Sequence, residues 1–272
     1  MTETFLEEGV GEVFSAVFGE VDGGTVYVVN PVRDGIPELV FRLHDLADPP
    51  TVRLLVDHDP LKEAMKDFIL AGHAADLVDA GTLAVRVPET TPKASLLVTE
   101  TAVVSLVEGD DRVGGLTATD ESFVTELRAF YDDTWADSEE FGLRTPPLSR
   151  VRETLATDLG TDTAADFDAV LDSLSVAKGD GEGLDEVTIT LLVAARNGEL
   201  LYDISKWGED VGLASKATFS RKKTQLEDSG LVRTEKVPID VGRPRLRLRL
   251  GDDLADADPG DLAGIAAERF EY

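Results

Sequence analysis

Residues 200–250 have the sequence LLYDISKWGEDVGLASKATFSRKKTQLEDSGLVRTEKVPIDVGRPRLRLRL, and this stretch decides the fold of the C-terminal half. Apolar residues at helical spacing predict one helix over 202–210 and a second over 214–228, joined by a turn at Val211-Gly212-Leu213. Ser229-Gly230 ends the second helix, because glycine adopts the left-handed conformation that closes helices. Two helices joined by so short a turn are typical of a helix-turn-helix motif.

Two strands are predicted after the second helix, over residues 231–238 and 245–250, with Val241-Gly242-Arg243-Pro244 as a tight loop between them. In the second strand leucine and arginine alternate, which places the leucines on one face and the arginines on the other. A hairpin in this position predicts a winged helix-turn-helix domain over residues 184–251, with its first helix over 185–196.

The second helix of such a motif enters the major groove of duplex DNA, with its N-terminal residues against the base edges. Phe219 and Leu226 are seven residues apart and are predicted to face the core. This orientation directs Lys216, Ser220 and Lys223 outward. The predicted DNA-binding residues are Ser215, Lys216, Thr218, Ser220, Arg221, Lys222, Lys223, Arg243 and Arg245.

These residues are predicted to make different contacts. Arg221 and Lys222 lie beside the outward side of the helix and are expected to contact phosphates, as is the Ser215 hydroxyl. Arg243 and Arg245 lie at the tip of the hairpin loop and are expected to reach a minor groove, where arginine is favoured by the negative potential. The alternative is that the hairpin is a solvated strand pair with ordinary surface arginines.

The distribution of charge favours DNA binding. The chain has 54 acidic and 26 basic residues and a formal net charge of −28. Residues 205–250 hold eleven basic and six acidic residues, and a positive island of this kind is the footprint that phosphate binding requires. Elsewhere acidic residues dominate and lysine is scarce, a composition that keeps proteins hydrated in concentrated salt. It predicts a halophilic cytoplasm, since a generic acidic protein would not explain the scarcity of lysine.

Residues 1–139 are predicted to form an α/β domain, a mostly parallel sheet with flanking helices, because strands alternate with helices of ten or more residues. Helices are predicted over 4–20, 34–46, 59–79 and 120–138, and strands over 25–30, 51–56, 82–87, 95–99 and 102–107. The last helix is expected to bury an apolar stripe formed by Phe123, Leu127, Phe130, Tyr131 and Trp135.

Two further segments complete the predicted organisation. Residues 140–183 are expected to be a linker with short helices, and residues 252–272 an acidic tail with a short helix. That last helix either docks on the body of the protein or meets a second protomer, and the sequence leaves both open.

The sequence lacks the common catalytic and metal-binding motifs. It has no cysteine, no G-x-x-x-x-G-K-[ST] loop, no G-x-G-x-x-G after the first strand and no G-x-S-x-G turn. The three histidines lack ligand spacing, and His58-Asp59 is better explained as a helix-capping loop than as a catalytic pair. We therefore expect no enzymatic activity, metal or cofactor. No leader and no apolar run of membrane-spanning length is present, which predicts a cytoplasmic protein.

A small-molecule effector site is predicted at the carboxyl edge of the parallel sheet, the usual binding crevice of α/β domains. Asn30, Arg33 and Asp34 follow the first predicted strand, and Asp57 and His58 follow the second. The alternative is that these loops are simply polar.

The whole chain resembles the haloarchaeal TbsP family of transcriptional regulators. The resemblance lies mainly in GLASKATFSRKKTQLEDSGLV at 212–232, GRPRLRLRL at 242–250 and TVYVVNP at 25–31. The α/β half is also similar to the sensor domain of TrmB-type sugar-responsive regulators, whose fold is like that of phospholipase D. The H-x-K-x-x-x-x-D motif of active phospholipases is absent, because His58 is followed by Lys62 four residues on, so catalysis is not implied.

The residues themselves predict a sequence-specific regulator that binds double-stranded promoter DNA, and symmetric operators favour a homodimer. The resemblance adds control of central carbon metabolism genes. Two alternatives stay open: a winged-helix adaptor that contacts the transcription machinery, and a small-molecule-binding or enzymatic α/β protein that does not bind DNA.

Overall fold

The computed structural model describes residues 4–21, 23–90, 92–110, 112–174, 184–239 and 244–270. The chain forms two compact units, the first of residues 1–65 and 73–143 and the second of residues 66–72 and 144–272. Within the described ranges, no helix is long and apolar enough to cross a membrane.

Among the described residues of the first unit, eight strands form one sheet in the order β1-β7-β6-β5-β2-β3-β4-β8. The strands are β1 (Thr4–Glu7), β2 (Thr25–Val29), β3 (Thr51–Leu55), β4 (Leu83–Val87), β5 (Leu96–Val98), β6 (Val103–Glu108), β7 (Val113–Ala118) and β8 (Glu139–Glu140). The helices are α1 (Val10–Gly19), α2 (Gly35–Asp45), α3 (His58–Ala64), α4 (Phe68–Asp79) and α5 (Glu121–Asp137). The first residues of α4 group with the second unit.

The sheet is mixed, so the prediction of a mostly parallel sheet is wrong. Strands β2, β3 and β4 are parallel, because helices cross over between them. Strands β5, β6 and β7 follow one another through short connections and pair antiparallel, and β1 and β8 also pair antiparallel at the two edges. The alternation of apolar residues indicates a strand but not its direction, and the βαβ pattern ends at β4.

Three local predictions also differ from the structure. The segment predicted as one helix over 4–20 begins as strand β1, which pairs with β7. The helix predicted over 59–79 is divided, because the Asp67 carboxylate accepts hydrogen bonds from the backbone N–H groups of Ile69 and Leu70 and thereby caps a new helix. The predicted strands end at residue 107, yet a further strand, β7, follows and contains Gly114 and Gly115.

Helix α5 packs on the sheet with a narrower face than predicted. Tyr131 is buried, and the Tyr27 hydroxyl donates a hydrogen bond to Asp132 Oδ1 at 2.5 Å. Phe123 and Phe130 belong to the stripe predicted to be buried, yet they are 43% and 59% exposed. They lie one residue, about 100° of helix rotation, away from the buried positions, which leaves them on the outside.

The second unit is helical with one hairpin. Its helices are α6 (Leu148–Leu159), α7 (Thr161–Ser173), α8 (Glu186–Asn197), α9 (Leu201–Val211), α10 (Lys216–Asp228) and α11 (Pro259–Phe270), with a 3-10 turn at Asp252–Leu254. Strands β9 (Val232–Val237) and β10 (Arg245–Leu250) pair antiparallel. In the described part of this unit, all six helices and both strands contribute side chains to one hydrophobic core.

This core extends beyond the winged helix-turn-helix predicted over 184–251. Helices α6 and α7, within the predicted linker of residues 140–183, bury Val151 and Phe167 in it. Helix α11, within the predicted tail of residues 252–272, buries Leu262 in the same core and packs against α7. The C-terminal helix therefore docks on its own unit.

Candidate nucleic-acid interface

A short turn joins α9 to α10 and fixes how the second helix is presented. Gly212 ends α9 with a φ of 86°, a left-handed conformation that favours glycine. Ser215 begins α10, and its hydroxyl accepts a hydrogen bond from the Thr218 N–H at 3.2 Å. The Phe219 ring lies so close to Gly208 that a Cβ there would stand 2.3 Å from the ring. The turn at Gly212, the Ser215 cap and the contact between Phe219 and Gly208 together orient α10.

The outer face of α10 is formed by Lys216, Ser220 and Arg221, which are exposed. Phe219 and Leu226 are fully buried on the opposite side. This confirms that the two apolar residues point inward and that Lys216 and Ser220 point outward, as predicted.

Lys222 and Lys223 do not belong to this outer face. Lys222 Nζ lies 2.5 Å from Asp185 Oδ2, and the two side chains are only 29% and 12% exposed. Lys223 Nζ lies 2.6 Å from Glu227 Oε2, and the Lys223 side chain is 12% exposed. The expected outward direction of Lys223 is wrong, because Glu227 also accepts a hydrogen bond from the Thr234 hydroxyl of β9 and holds the lysine against the hairpin.

The two cations of the outer face differ in their partners. Lys216 Nζ lies 2.5 Å from Glu209 Oε2. This hydrogen bond raises the pKa of Lys216 and lowers the pKa of Glu209. Arg221 Nη2 lies 3.4 Å from Thr218 Oγ1, and among the described residues no carboxylate pairs with it. Arg221 is thus the outer-face cation most available to a phosphate or a base.

The hairpin has one leucine face and one arginine face, as predicted. Leu248 is fully buried, whereas the alternate arginines are half-exposed. The Arg245 guanidinium lies 4.6 Å from the centroid of the Tyr202 ring, and its Nη1 is 3.3 Å from Asp203 Oδ1. Arg243 and most of the loop lie outside the described residues.

The residues predicted for an effector pocket are Asn30, Arg33, Asp34, Asp57 and His58, and the structure places them in different surroundings. Arg33 Nε lies 3.1 Å from Glu108 Oε1 on β6, and with Asp34 it lines a groove of about 350 Å³ at the start of α1. The His58 ring lies 5.9 Å from the Phe141 ring, next to β8. Since β6 and β8 are on opposite sides of β2 and β3, Arg33 and His58 reach in opposite directions.

Asn30 and Asp57 are at the ends of their strands. The Asn30 N–H donates to the Leu55 carbonyl at 2.8 Å, and the Asn30 carbonyl accepts from the Ser95 hydroxyl at 2.6 Å. Asp57 is the residue that precedes α3. Their positions are those of residues that join a strand to the next element.

A different cavity, of about 520 Å³, opens between α5 and the segment that follows β4. Pro88, Phe130 and Tyr131 give it apolar walls, and Lys93 and Asp137 lie at its rim. Sequence reasoning missed this cavity because Phe130 was expected in the core. Among the described residues, no three His, Asp or Glu side chains are arranged to hold a metal ion.

Sequence reasoning also missed two residues beside the outer face of α10. Tyr202 stacks under Arg245, and Glu209 pairs with Lys216. Glu209 lies in the last turn of α9 and Lys216 in the first turn of α10, so a charge comparison across the turn would have found that pair. For Tyr202 the sequence carries no comparable signal.

Solved structures that match about half of this chain share little sequence with it. The archaeal chromatin protein TrmBL2, whose structure shows a novel mode of DNA binding, matches with a TM-score of 0.36 and 11% identity over 52% of this chain and 54% of its own. This chain thus covers about half of TrmBL2. Nuc from Salmonella typhimurium, a phospholipase D family member, matches with a TM-score of 0.35 and 9% identity over 52% of this chain and 99% of its own. NucT from Helicobacter pylori matches with a TM-score of 0.32 and 8% identity over 52% of this chain and 100% of its own.

Family models cover nearly the whole chain, although no curated protein matches it. Residues 2–146 match the N-terminal domain of the transcriptional regulator TbsP-like family. Residues 147–267 match the C-terminal helix-turn-helix domain of the same family. The boundary between the two models falls close to the boundary between the two units, at residues 143 and 144. The chain therefore belongs to the family of TbsP-like transcriptional regulators.

Proposed function

We propose that this regulator binds duplex DNA sequence-specifically through the outer face of α10, with the β9–β10 hairpin acting as the wing of a winged helix-turn-helix. One observation carries the proposal. Lys216, Ser220 and Arg221 are exposed side by side on a helix whose opposite side is locked into the core by Phe219. Cationic side chains bind phosphates, and hydroxyl and guanidinium groups can form hydrogen bonds with base edges.

The residues predicted for DNA binding take different roles in this proposal. Ser220 and Arg221 contact bases, because they are exposed on the outer face and no carboxylate among the described residues pairs with Arg221. Lys216 and Arg245 contact phosphates from the two sides of that face. Ser215 orders the first turn of α10 as its cap, and the two inner lysines hold the helix in position.

The target genes we propose are those of central carbon metabolism in a halophilic archaeon. The resemblance to the TbsP family implies the first part, and the family models support a transcriptional regulator. The net charge of −28 supports the second, since an acidic surface remains hydrated in concentrated salt. The same family membership supports a regulatory rather than a catalytic protein.

Selection from a random-sequence duplex library by the full chain tests the proposal. We expect an enriched motif, and fluorescence anisotropy on the selected duplex should show that Arg221→Ala lowers the affinity about tenfold or more. Arg269→Ala, an exposed arginine on α11, is the matched control and should bind like the wild type. Absence of a motif, or equal affinity for Arg221→Ala and the wild type, would refute the proposal.

The homodimer in this proposal uses the outer sheet face formed by β1, β7 and β6. Leu6, Val107 and Leu116 are 59%, 54% and 52% exposed. Leu6 and Val107 flank Gly114 in register, and Leu116 follows Gly114 by two residues, so all three share one face. Such an apolar cluster marks a contact surface. Two copies of this acidic chain repel each other over the rest of their surfaces. A self-complementary apolar face allows them to approach.

Light scattering tests this interface. Val107→Lys should convert a dimer to a monomer, because it places a charge in the apolar face. Leu46→Lys, at an exposed position outside this face, should leave the mass unchanged. A dimeric Val107→Lys protein would exclude the interface.

The small-molecule effector also remains a proposal, and the cavity beside α5 supports it better than the five predicted residues do. The cavity combines apolar walls with a charged rim, as small-molecule sites commonly do. A screen of metabolites by thermal shift should find one that raises the melting temperature of the wild type but not of Thr134→Trp, in which the cavity is filled. An equal shift in both proteins would place the effector elsewhere.

A further inference from the structure

Tyr202 is not among the predicted DNA-binding residues, yet it lines a groove of the second unit beside several of them. The groove has a volume of about 510 Å³ and lies between the first turn of α9, the outer face of α10 and the loop end of the hairpin. Its lining includes Tyr202, Lys216, Ser220, Ile239, Pro244 and Arg245.

One wall of the groove is apolar and open to solvent. The Tyr202 and Ile239 side chains are 49% and 41% exposed, and Pro244 is exposed beside them. Apolar surface that is contiguous and bordered by charged residues is typical of a contact surface. The groove therefore offers apolar surface to an occupant.

Cationic and hydrogen-bond-donating side chains also line the groove. Lys216 supplies an ammonium, Ser220 a hydroxyl and Arg245 a guanidinium. The guanidinium is held over the Tyr202 ring at 4.6 Å and beside Asp203 Oδ1 at 3.3 Å. Because a guanidinium has five donors, this single carboxylate contact leaves donors for a second anion.

We propose that this groove binds one sugar-phosphate strand of the duplex, next to the bases that α10 contacts. The inference rests on the proposed DNA binding and adds the class of group bound: a phosphodiester with its deoxyribose. The sugar packs on Tyr202 and Ile239, and the phosphate accepts hydrogen bonds from Arg245 and Lys216. Tyr202 thus contacts the sugar and positions Arg245, and both roles need its ring rather than its hydroxyl.

Substitution of Tyr202 tests the contact with the duplex selected by the wild type. Tyr202→Ala should lower the affinity roughly fivefold or more, because the stacked cation and the sugar contact are lost. Tyr202→Phe keeps the ring and should bind like the wild type. Both variants should remain folded at the temperature of the binding assay, since half of the Tyr202 side chain is exposed.

Neutral methylphosphonates placed singly along the selected duplex identify the phosphate. One or two adjacent positions should weaken the wild type, and the same positions should have little further effect on Arg245→Ala or Tyr202→Ala. If both variants remain as sensitive as the wild type at every position, the groove does not hold the strand and the inference fails.

A failure of DNA binding and a failure of the groove contact give different results. Failure of the wild type to select or bind any duplex would refute the proposed function and this inference with it. Sequence-specific binding by the wild type, together with undiminished binding by Tyr202→Ala, would refute the groove alone.

Discussion

The Lys222 ammonium lies 2.5 Å from the Asp185 carboxylate, and this pair ties α10 to the start of α8. The same carboxylate caps α8 by accepting a hydrogen bond from the Thr188 N–H at 2.7 Å. One acidic side chain therefore orients two helices of the unit. It explains how a lysine in the basic run of α10 serves the interface without lying on its outer face.

Lys222→Ala should change the stability of the protein, whereas Arg221→Ala should change its affinity for DNA. Lys222→Ala leaves a largely buried carboxylate unpaired and should lower the free energy of unfolding by about 1–2 kcal/mol, between the values for exposed and buried pairs. Arg221→Ala should unfold like the wild type but lose DNA affinity. Urea denaturation and anisotropy measure the two quantities. A Lys222→Ala protein of full stability and reduced affinity would show instead that Lys222 contacts phosphate.

The affinity for DNA should depend weakly on salt. When the Lys216 ammonium moves to a phosphate, Glu209 loses its partner at 2.5 Å and takes up a cation, which offsets the counterion released from DNA. Arg245 is paired with Asp203 in the same way. The slope of log affinity against log salt should therefore be about −1 to −2. This is much shallower than the slope of a regulator with many unpaired cations.

Glu209→Gln provides the matched test of this mechanism. It frees Lys216, so binding at low salt should strengthen and the slope should steepen by about one. An unchanged slope, or a wild-type slope of about −6 or steeper, would exclude cation uptake at Glu209.

Gly208→Ala should destabilise the protein. An added Cβ would stand 2.3 Å from the Phe219 ring, and this overpacking at the contact between α9 and α10 should cost about 1–3 kcal/mol. Gly264→Ala on α11 is the control, because no atom lies within 4 Å of its added Cβ, and alanine should be neutral or slightly stabilising there. Equal stabilities of the two variants would contradict the close approach of the helices.

Glu186→Gln should stabilise the protein at neutral pH. Burial raises the pKa of Glu186 above its ordinary value of 4.5, and the neighbouring Asp185 carboxylate adds to this effect. A carboxyl with a raised folded-state pKa favours the folded state at low pH and loses this contribution as the pH rises above 4.5. The melting temperature of Glu186→Gln should exceed that of the wild type at pH 7, and the difference should vanish below pH 4.5. A difference that is independent of pH would point to packing instead.

The sequence predicts the helix-turn-helix well because its signals are local. Gly212 ends α9 through its left-handed backbone conformation, and Ser215 begins α10 through its hydroxyl group. Phe219 and Leu226 identify the buried side of α10 by spacing alone. The exposure of Lys216 and Ser220 then follows from helical geometry.

The remaining features depend on contacts between residues far apart in the chain. Lys222 is drawn inward by Asp185, and no periodicity connects these positions. The antiparallel direction of β5 to β7 is set by pairing rather than by composition. The burial of Leu262 in the core of the second unit depends on packing with α7, which a helical stripe alone does not specify.

Promoter occupancy in cells tests the central claim, that the outer face of α10 binds specific DNA. Chromatin immunoprecipitation with sequencing should be carried out on the wild-type chain and on Lys216→Ala/Ser220→Ala/Arg221→Ala, whose purified form should keep the wild-type melting temperature. We expect discrete promoter peaks that share one motif for the wild type and their loss in the folded triple variant. Unchanged peaks in that variant, or no promoter peaks for the wild type, would contradict the account.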